Sequence, residues 1–468
     1  MSTLTVSRAD RRAKVAHRSP RDERPGVGRV REPGNSHRLH GAVILLLFTW
    51  MLPWEYFLGS VRLTPYRLSL IVLLLPSLMW FAAGRAGRVR LPDVLLLGFA
   101  LWCMLSLGVV HGISTAFQTG GIQFLETLTP YLIARCCIRN ADDFRALARL
   151  LTWIVLALLP FAVFEAVTGR NIYLEIMSQF FSTIELAHKD PRWGLRRVQL
   201  FFEHPILMGV CLGSILTLTH LVVGREFYFG RRWMRSTMVG LTAALSLSSG
   251  PLSGMMVQII LMGWNWFFSK IKGRWTILIS LVLMFILAVQ LFARRPLPNI
   301  LVSFAFEQES GYYRILIWNY GSESVARHPW FGVGLGSWDR PAWMPPSIDM
   351  FWLYNAIVFG LPGGVLMMAF FAVTVWSIGK VRNLDQRLYD YRAAYLIAMT
   401  SFFLTGWMVH FWNGTYVFFL FMVGAGMWLL NVPRQDDGLK LEPEERAMAS
   451  RSRRPLRAPR QPVGHRER

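Results

Sequence analysis

Two polar stretches in this chain carry side chains suited to holding an anion and accepting a proton. The first contains Arg196, Arg197, Glu203 and His204, in WGLRRVQLFFEHPILMG. The second lies between Phe306 and Pro362. It contains Tyr313, Arg314, Arg327, His328, Arg340 and Asp349, with Glu307, Glu309 and Asp339 beside them. Guanidinium groups stay charged at any working pH and grip phosphate or carboxylate oxygens at two points. Arg197 and Arg314 are therefore candidate clamps for a diphosphate. Arg196, Arg327, His328, Arg340 and Tyr313 are candidate substrate contacts around them, and Arg192, Arg294 and Arg295 are further cations nearby. The competing reading is contact with lipid headgroups, or pairing with Glu203, Glu307 or Glu309.

Glu203, His204 and Asp349 are the candidate proton acceptors, because an imidazole or carboxylate can take the proton of an attacking hydroxyl. Each has a structural alternative. Pro205 suits the first turn of a helix and Glu203 suits its positive end, so Glu203-His204-Pro205 also reads as a helix start. Asp349 reads equally as a helix N-cap. Gly332, Gly334 and Gly336 resemble a phosphate loop, but no strand precedes them and no GK[ST] follows. A flexible turn that lets backbone approach a substrate is expected there. His111 and His410, at the ends of apolar runs, are read as interfacial residues. Cys103, Cys136, Cys137 and Cys211 show no ligand spacing and read as small buried residues. With no HEXXH and no aspartate-rich site, metal-independent chemistry and no cofactor are expected.

The elements that must position these residues are membrane helices. The chain has 468 residues, of which 53% are hydrophobic and only 17% charged, too few to solvate a soluble protein of this size. Apolar runs near twenty residues match the thickness of a bilayer core. The pattern predicts an all-α polytopic integral membrane protein with about twelve spans. They fall at 41–59, 67–84, 92–111, 120–138, 147–168, 204–223, 236–249, 251–269, 274–292, 350–378, 393–410 and 414–431. The pair 236–249 and 251–269 also reads as one re-entrant unit. In a membrane, a diphosphate held by Arg197 and Arg314 would belong to a polyprenyl-linked substrate.

The net charge of +22 does not point to nucleic acid, because about twenty of the 50 Lys and Arg lie in the tails 1–40 and 432–468. Those tails read as disordered and lipid-contacting. No apolar run precedes Val43, so no signal peptide is expected. Loops 85–91, 135–146, 224–235, 270–274 and 379–392 are short and basic, which places them and both termini in the cytoplasm. The membrane domain is then 41–431, with two large outer loops, 169–203 and 293–349, expected to carry short helices. Phe180/Phe181, Phe201/Phe202 and Tyr312/Tyr313 would lie at the interface. Charges inside the spans are few, Glu55, Glu126 and Glu165 among them, which argues against a coupled ion pump.

Four segments resemble the bacterial O-antigen ligase and O-antigen polymerase family, and its exopolysaccharide polymerase branch in particular. They are FEAVTGRNIYLEI, RRVQLFFEHPILMG, SLSSGPLSG, and YYRILIWNYGSESVARHPWFGVGLGSW followed by SIDMFWLYNAIVFGLPGG. The resemblance implies a glycosyltransferase-type polysaccharide polymerase in the bacterial inner membrane. It would join undecaprenyl-diphosphate-linked repeats at the periplasmic face, with the loop arginines Arg197 and Arg314 at the diphosphate. It also implies a flippase and a chain-length regulator as pathway partners, besides membrane lipid. Ligases of this family show a His-Asn pair where this chain reads Asp349-Met350-Phe351, which favours polymerase. The RX10G pattern of some polymerases is not met. Transfer of glycan to lipid A core or protein, and flipping or export of lipid-linked sugar, remain the alternatives.

Overall fold

The computed structural model describes residues 39–59, 61–292 and 308–432, and these form a mostly helical membrane-type bundle. In chain order its main helices are α1 (Gly41–Met51), α2 (Pro65–Ala82), α3 (Leu91–His111), α4 (Gly121–Cys137), α5 (Ala141–Thr168), α6 (Ile172–Met177) and α7 (Pro205–Gly213). There follow α8 (Phe229–Ala244), α9 (Ser249–Phe267), α10 (Arg274–Phe292), α11 (Gln308–Arg327), α12 (Phe351–Gly379), α13 (Gln386–Thr405) and α14 (Gly414–Ala425). Between α1 and α2 stands a small antiparallel hairpin, β1 (Tyr56–Leu58) with β2 (Val61–Leu63), in which Phe57 faces Arg62.

Seven helical stretches among the described residues are long and apolar enough to cross a membrane: Pro65–Ala82, Leu91–His111, Ala141–Thr168, Pro205–Glu226, Arg274–Leu291, Phe351–Gly379 and Gly414–Asn431. The twelve-span reading is not reached on these grounds. α1 is the clearest departure: a span was expected to Glu55 and beyond, yet the helix stops at Met51 and Pro53 leads into the hairpin. Stretch 236–269 forms two helices, broken at Ser246–Ser248, where Leu247 adopts a φ of 45°.

The connections sort to two ends. At one end the five basic loops meet. Arg135, buried, bonds Asp93 and the carbonyls of Ala86 and Arg88. Arg387 bonds Asp142, Arg145 pairs with Glu226, and Arg225 pairs with Asp390. At the other end the hairpin, the 169–203 connection, the 308–350 segment and the 406–413 turn lie together. Glu55 N–H donates to Ser182 O at 2.9 Å, and Arg314 reaches Met408 O.

One clamp at this second end fixes where the 308–350 segment lies. α12 is broken at Gly360 (φ 76°). The freed backbone is taken up by the HPWFGVG run, in which Val333 N–H donates to Ile357 O, Gly334 N–H to Val358 O, and Leu361 N–H to Pro329 O. Trp102 and Ser106 of α3 complete it by bonding Phe359 O and Phe331 O. Gly332 and Gly334 therefore let backbone approach α12 and the end of α3. A Cβ on Gly332 would sit 2.5 Å from the carbonyl oxygens of Ile357 and Val358. Under the clamp, Ile317, Trp338, Met344, Met350, Leu353 and Ile357 form a small second core.

Candidate functional site

The run that carries Arg196 and Arg197 is held by buried polar groups. The Glu165 carboxylate accepts the amides of Gln199 (2.9 Å) and Leu200 (3.1 Å). Asn171 donates to Leu200 O, and the Gln199 amide bonds Ala187 N–H and the carbonyls of Glu185 and Phe202. Main-chain bonds from Arg196 to Ala166 and from Val198 to Leu245 dock the run between α5 and the α8–α9 turn. Orphan backbone in this extended stretch is thus satisfied by side chains. Arg197 then reaches Ser248 Oγ at 2.9 Å, and Arg192 reaches Leu247 O. Arg196 turns back to Ala187 O at 3.3 Å. Phe201 and Phe202, expected at the interface, are buried against Trp50.

His204 caps α7. Its Nδ1 accepts the Ile206 amide at 3.1 Å, and Pro205 occupies the first turn. An Nδ1 that accepts carries no proton, so the neutral ring bears its hydrogen on Nε2 and presents a donor. Burial, then the charges of Lys189 and Arg197, push its pKa down to about 4. Asp349 is within electrostatic reach of the same cation. Burial raises its carboxyl pKa, against the opposing charges of Arg314 and Lys189. Arg314 Nε donates to Met408 O at 2.7 Å. Tyr313 OH donates to Pro345 O at 3.2 Å and senses Asp349 and Arg340.

His204 therefore lies within electrostatic reach of Arg197 and Lys189, and Asp349 within reach of Arg314 and the same lysine. Tyr313 lies at the edge of this group. Arg340 bonds Met344 O inside its own loop. Arg327 and His328 stand elsewhere: Arg327 pairs with Glu323 and approaches Asp339 at 3.8 Å, and His328 lies 3.7 Å from the same carboxylate. Arg294, Arg295 and Glu307 lie outside the described residues, as do nearly all of both tails.

Glu203 belongs to a second, adjoining network. Its carboxylate pairs with Arg62 of the hairpin, and both of its oxygens accept from the Asn413 Nδ2 amide, at 2.9 and 2.7 Å. Arg67 bonds Asn413 Oδ1, Arg62 O and the Glu126 carboxylate, which Tyr66 OH also meets at 3.1 Å. Glu55 lies 3.5 Å from Arg62. Glu55, Glu126 and Glu165, and Asp93 with Arg135 at the basic end, are thus each paired or hydrogen-bonded within predicted spans, as buried charge requires. Above the network a recess of about 420 Å³, including its open mouth, is walled by Trp50, Trp54, Phe201, Phe202 and Trp412, with Arg62 and Glu203 on its rim.

Sequence reasoning missed Lys189, Arg62, Arg67 and Asn413. The signal for the two arginines was present: both stand near 60–66, an outer loop in the predicted topology, where positive-inside bias gives no reason for them. Lys189, in the outer loop 169–203, carried the same mark, whereas Asn413 carried none. Compared with known proteins, the chain matches no family model and no curated protein.

Proposed function

We propose that the protein is a membrane-embedded glycan polymerase that uses a lipid-diphosphate donor. The observation that supports this is the convergence of Arg197, Lys189 and Arg314 on His204 and Asp349, drawn from separate segments at the end opposite the basic loops. In this reading the chain crosses the bacterial inner membrane about twelve times. The basic loops and both termini face the cytoplasm, and the site faces the periplasm.

The chemistry is displacement at an anomeric carbon. A hydroxyl of the incoming lipid-linked repeat forms the new C–O bond, the bond to the carrier diphosphate breaks, and the diphosphate leaves with the electron pair. Arg197, Arg314 and Lys189 supply fixed positive charge where that negative charge develops. Asp349 takes the hydroxyl proton, since its raised pKa makes it a stronger base than an ordinary carboxylate. His204, with its Nε2 hydrogen, donates to a phosphate or sugar oxygen. Glu203, already engaged by Arg62 and Asn413, positions the segment leading to His204.

The test is the lipid-linked glycan of a strain lacking the protein. Single repeats on the carrier at the outer face, with no polymer, are expected. Long polymer still on the carrier would mean ligation instead. Single repeats trapped on the cytoplasmic face would mean flipping, and would end the argument from the arginines.

A further inference from the structure

At the basic end of the bundle several arginines are matched by carboxylates: Arg135 by Asp93, Arg145 by Glu226, Arg225 by Asp390 and Arg387 by Asp142. Arg231 and Arg235 of α8 differ. Among the described residues neither pairs with a carboxylate. Their guanidinium groups lie over aromatic rings instead. Arg231 stands 4.7 Å from the Phe227 centroid, and Arg235 stands 4.0 Å from the same ring and 5.5 Å from Trp153. Stacking fixes the planes and leaves N–H edges for another acceptor.

Arg149 of α5 approaches the same place. Its nearest carboxylate, Glu226 at 3.7 Å, is already engaged by Arg145. Burial, then the charges of Arg231 and Arg149, lower the pKa of Arg235, so the three cations are within electrostatic reach. Arg145 and Arg149 thus share Glu226, while Arg231 and Arg235 beside them have no carboxylate among the described residues, an excess of positive charge that a bound anion would relieve. The surroundings are apolar and open. Tyr228 and Phe229 are 76% and 75% exposed, and Trp153 and Trp233 are about half exposed. Trp153 lies about one turn along α5 from Arg149. Indole rings favour headgroup depth, so an apolar tail attached to the anion would run along α5 past Trp153.

We propose that Arg149, Arg231 and Arg235 form a binding site for the phosphate of an anionic phospholipid, whose acyl chains lie against Trp153 and the exposed face of α8. The site is at the opposite end from the candidate catalytic group and does not depend on the reaction proposed for it.

The experiment is native mass spectrometry of the full chain released from nanodiscs containing equal phosphatidylglycerol and phosphatidylcholine. Wild-type protein should retain phosphatidylglycerol in preference. R231Q/R235Q should lose that preference by about thirtyfold, or about fivefold for each charge near a membrane surface. R231K/R235K, which keeps charge and most of the packing, should retain part of it and covers the case in which the glutamine variant fails to fold. Equal retention of both lipids by wild type would overturn the proposal, as would unchanged preference in a folded R231Q/R235Q. Displacement of the lipid by millimolar inorganic phosphate would assign the site to free phosphate and overturn the lipid assignment.

Discussion

The Asn413 side-chain amide bridges both carboxylate oxygens of Glu203, and it does so from a backbone with φ 51° and ψ −128°. That conformation is sparsely populated for any residue but glycine, and strain of this kind persists only where the surroundings over-determine it. Asn413 Oδ1 also accepts from Arg67, so one strained residue ties the hairpin, α2, the entry to α7 and the start of α14 together.

Replacing Asn413 should separate these contributions. N413G relieves the backbone but leaves Glu203 with Arg62 alone. N413D places a second carboxylate against Glu203. Thermal unfolding in detergent should show N413D the less stable of the two by roughly 1–3 kcal/mol, the cost of an unsatisfied or repelling buried polar group. Equal melting temperatures would mean that the bridge is not maintained in solution.

Arg197 and Arg314 should matter for turnover more than for accumulation. Alanine at either position removes fixed positive charge and is expected to lower polymer formation by roughly 10²–10³-fold, while protein level falls far less. Lysine should restore only part, because it lacks the two-point fork. Wild-type polymer yield in R314A would remove the clamp assignment.

Asp349→Asn tests the proton acceptor. It keeps the size of the side chain, which caps no helix here, but cannot take a proton, so polymer formation should fall by roughly 10²–10⁴-fold with little change in melting temperature. His204→Asn, which can still cap α7, should retain more activity than D349N. The reverse order would exchange the two roles.

His204 also makes stability pH-dependent. Its folded pKa of about 4 lies below the ordinary value of 6.5. As pH falls from about 6.5 the unfolded chain protonates first, so unfolding takes up protons and stability declines until pH passes about 4. Melting temperature measured from pH 7 to pH 4 should fall less steeply in H204N than in wild type.

The backbone clamp can be broken from either side. Gly360 and Gly332 both have positive φ, and an added Cβ would collide with Trp330 O or with the carbonyls of Ile357 and Val358. G360A and G332A should each cost on the order of 3 kcal/mol, read as lost expression or a lower melting temperature. Gly336, whose φ is not in that region, should tolerate alanine better.

Composition and apolar run length by themselves determined a helical membrane protein, because hydrocarbon tolerates few other ways of satisfying a backbone. The spacing of Arg, His and carboxylate residues marked the two polar stretches from which the candidate site is drawn, since charge on an apolar chain stands out. What only the tertiary structure decided was which of those charges meet. His204 comes within electrostatic reach of Arg197 and Lys189, and Asp349 of Arg314 and Lys189, whereas Glu203 is drawn into the Arg62–Asn413–Arg67–Glu126 network and Arg327 and His328 settle on Asp339. Partners as far apart in sequence as Arg67 and Asn413, 346 residues, leave no periodic trace in it. The break at Gly360 and the short α1 were hidden for a related reason. Apolar composition reports burial in lipid or protein alike, and only the packed neighbours decide where a helix stops.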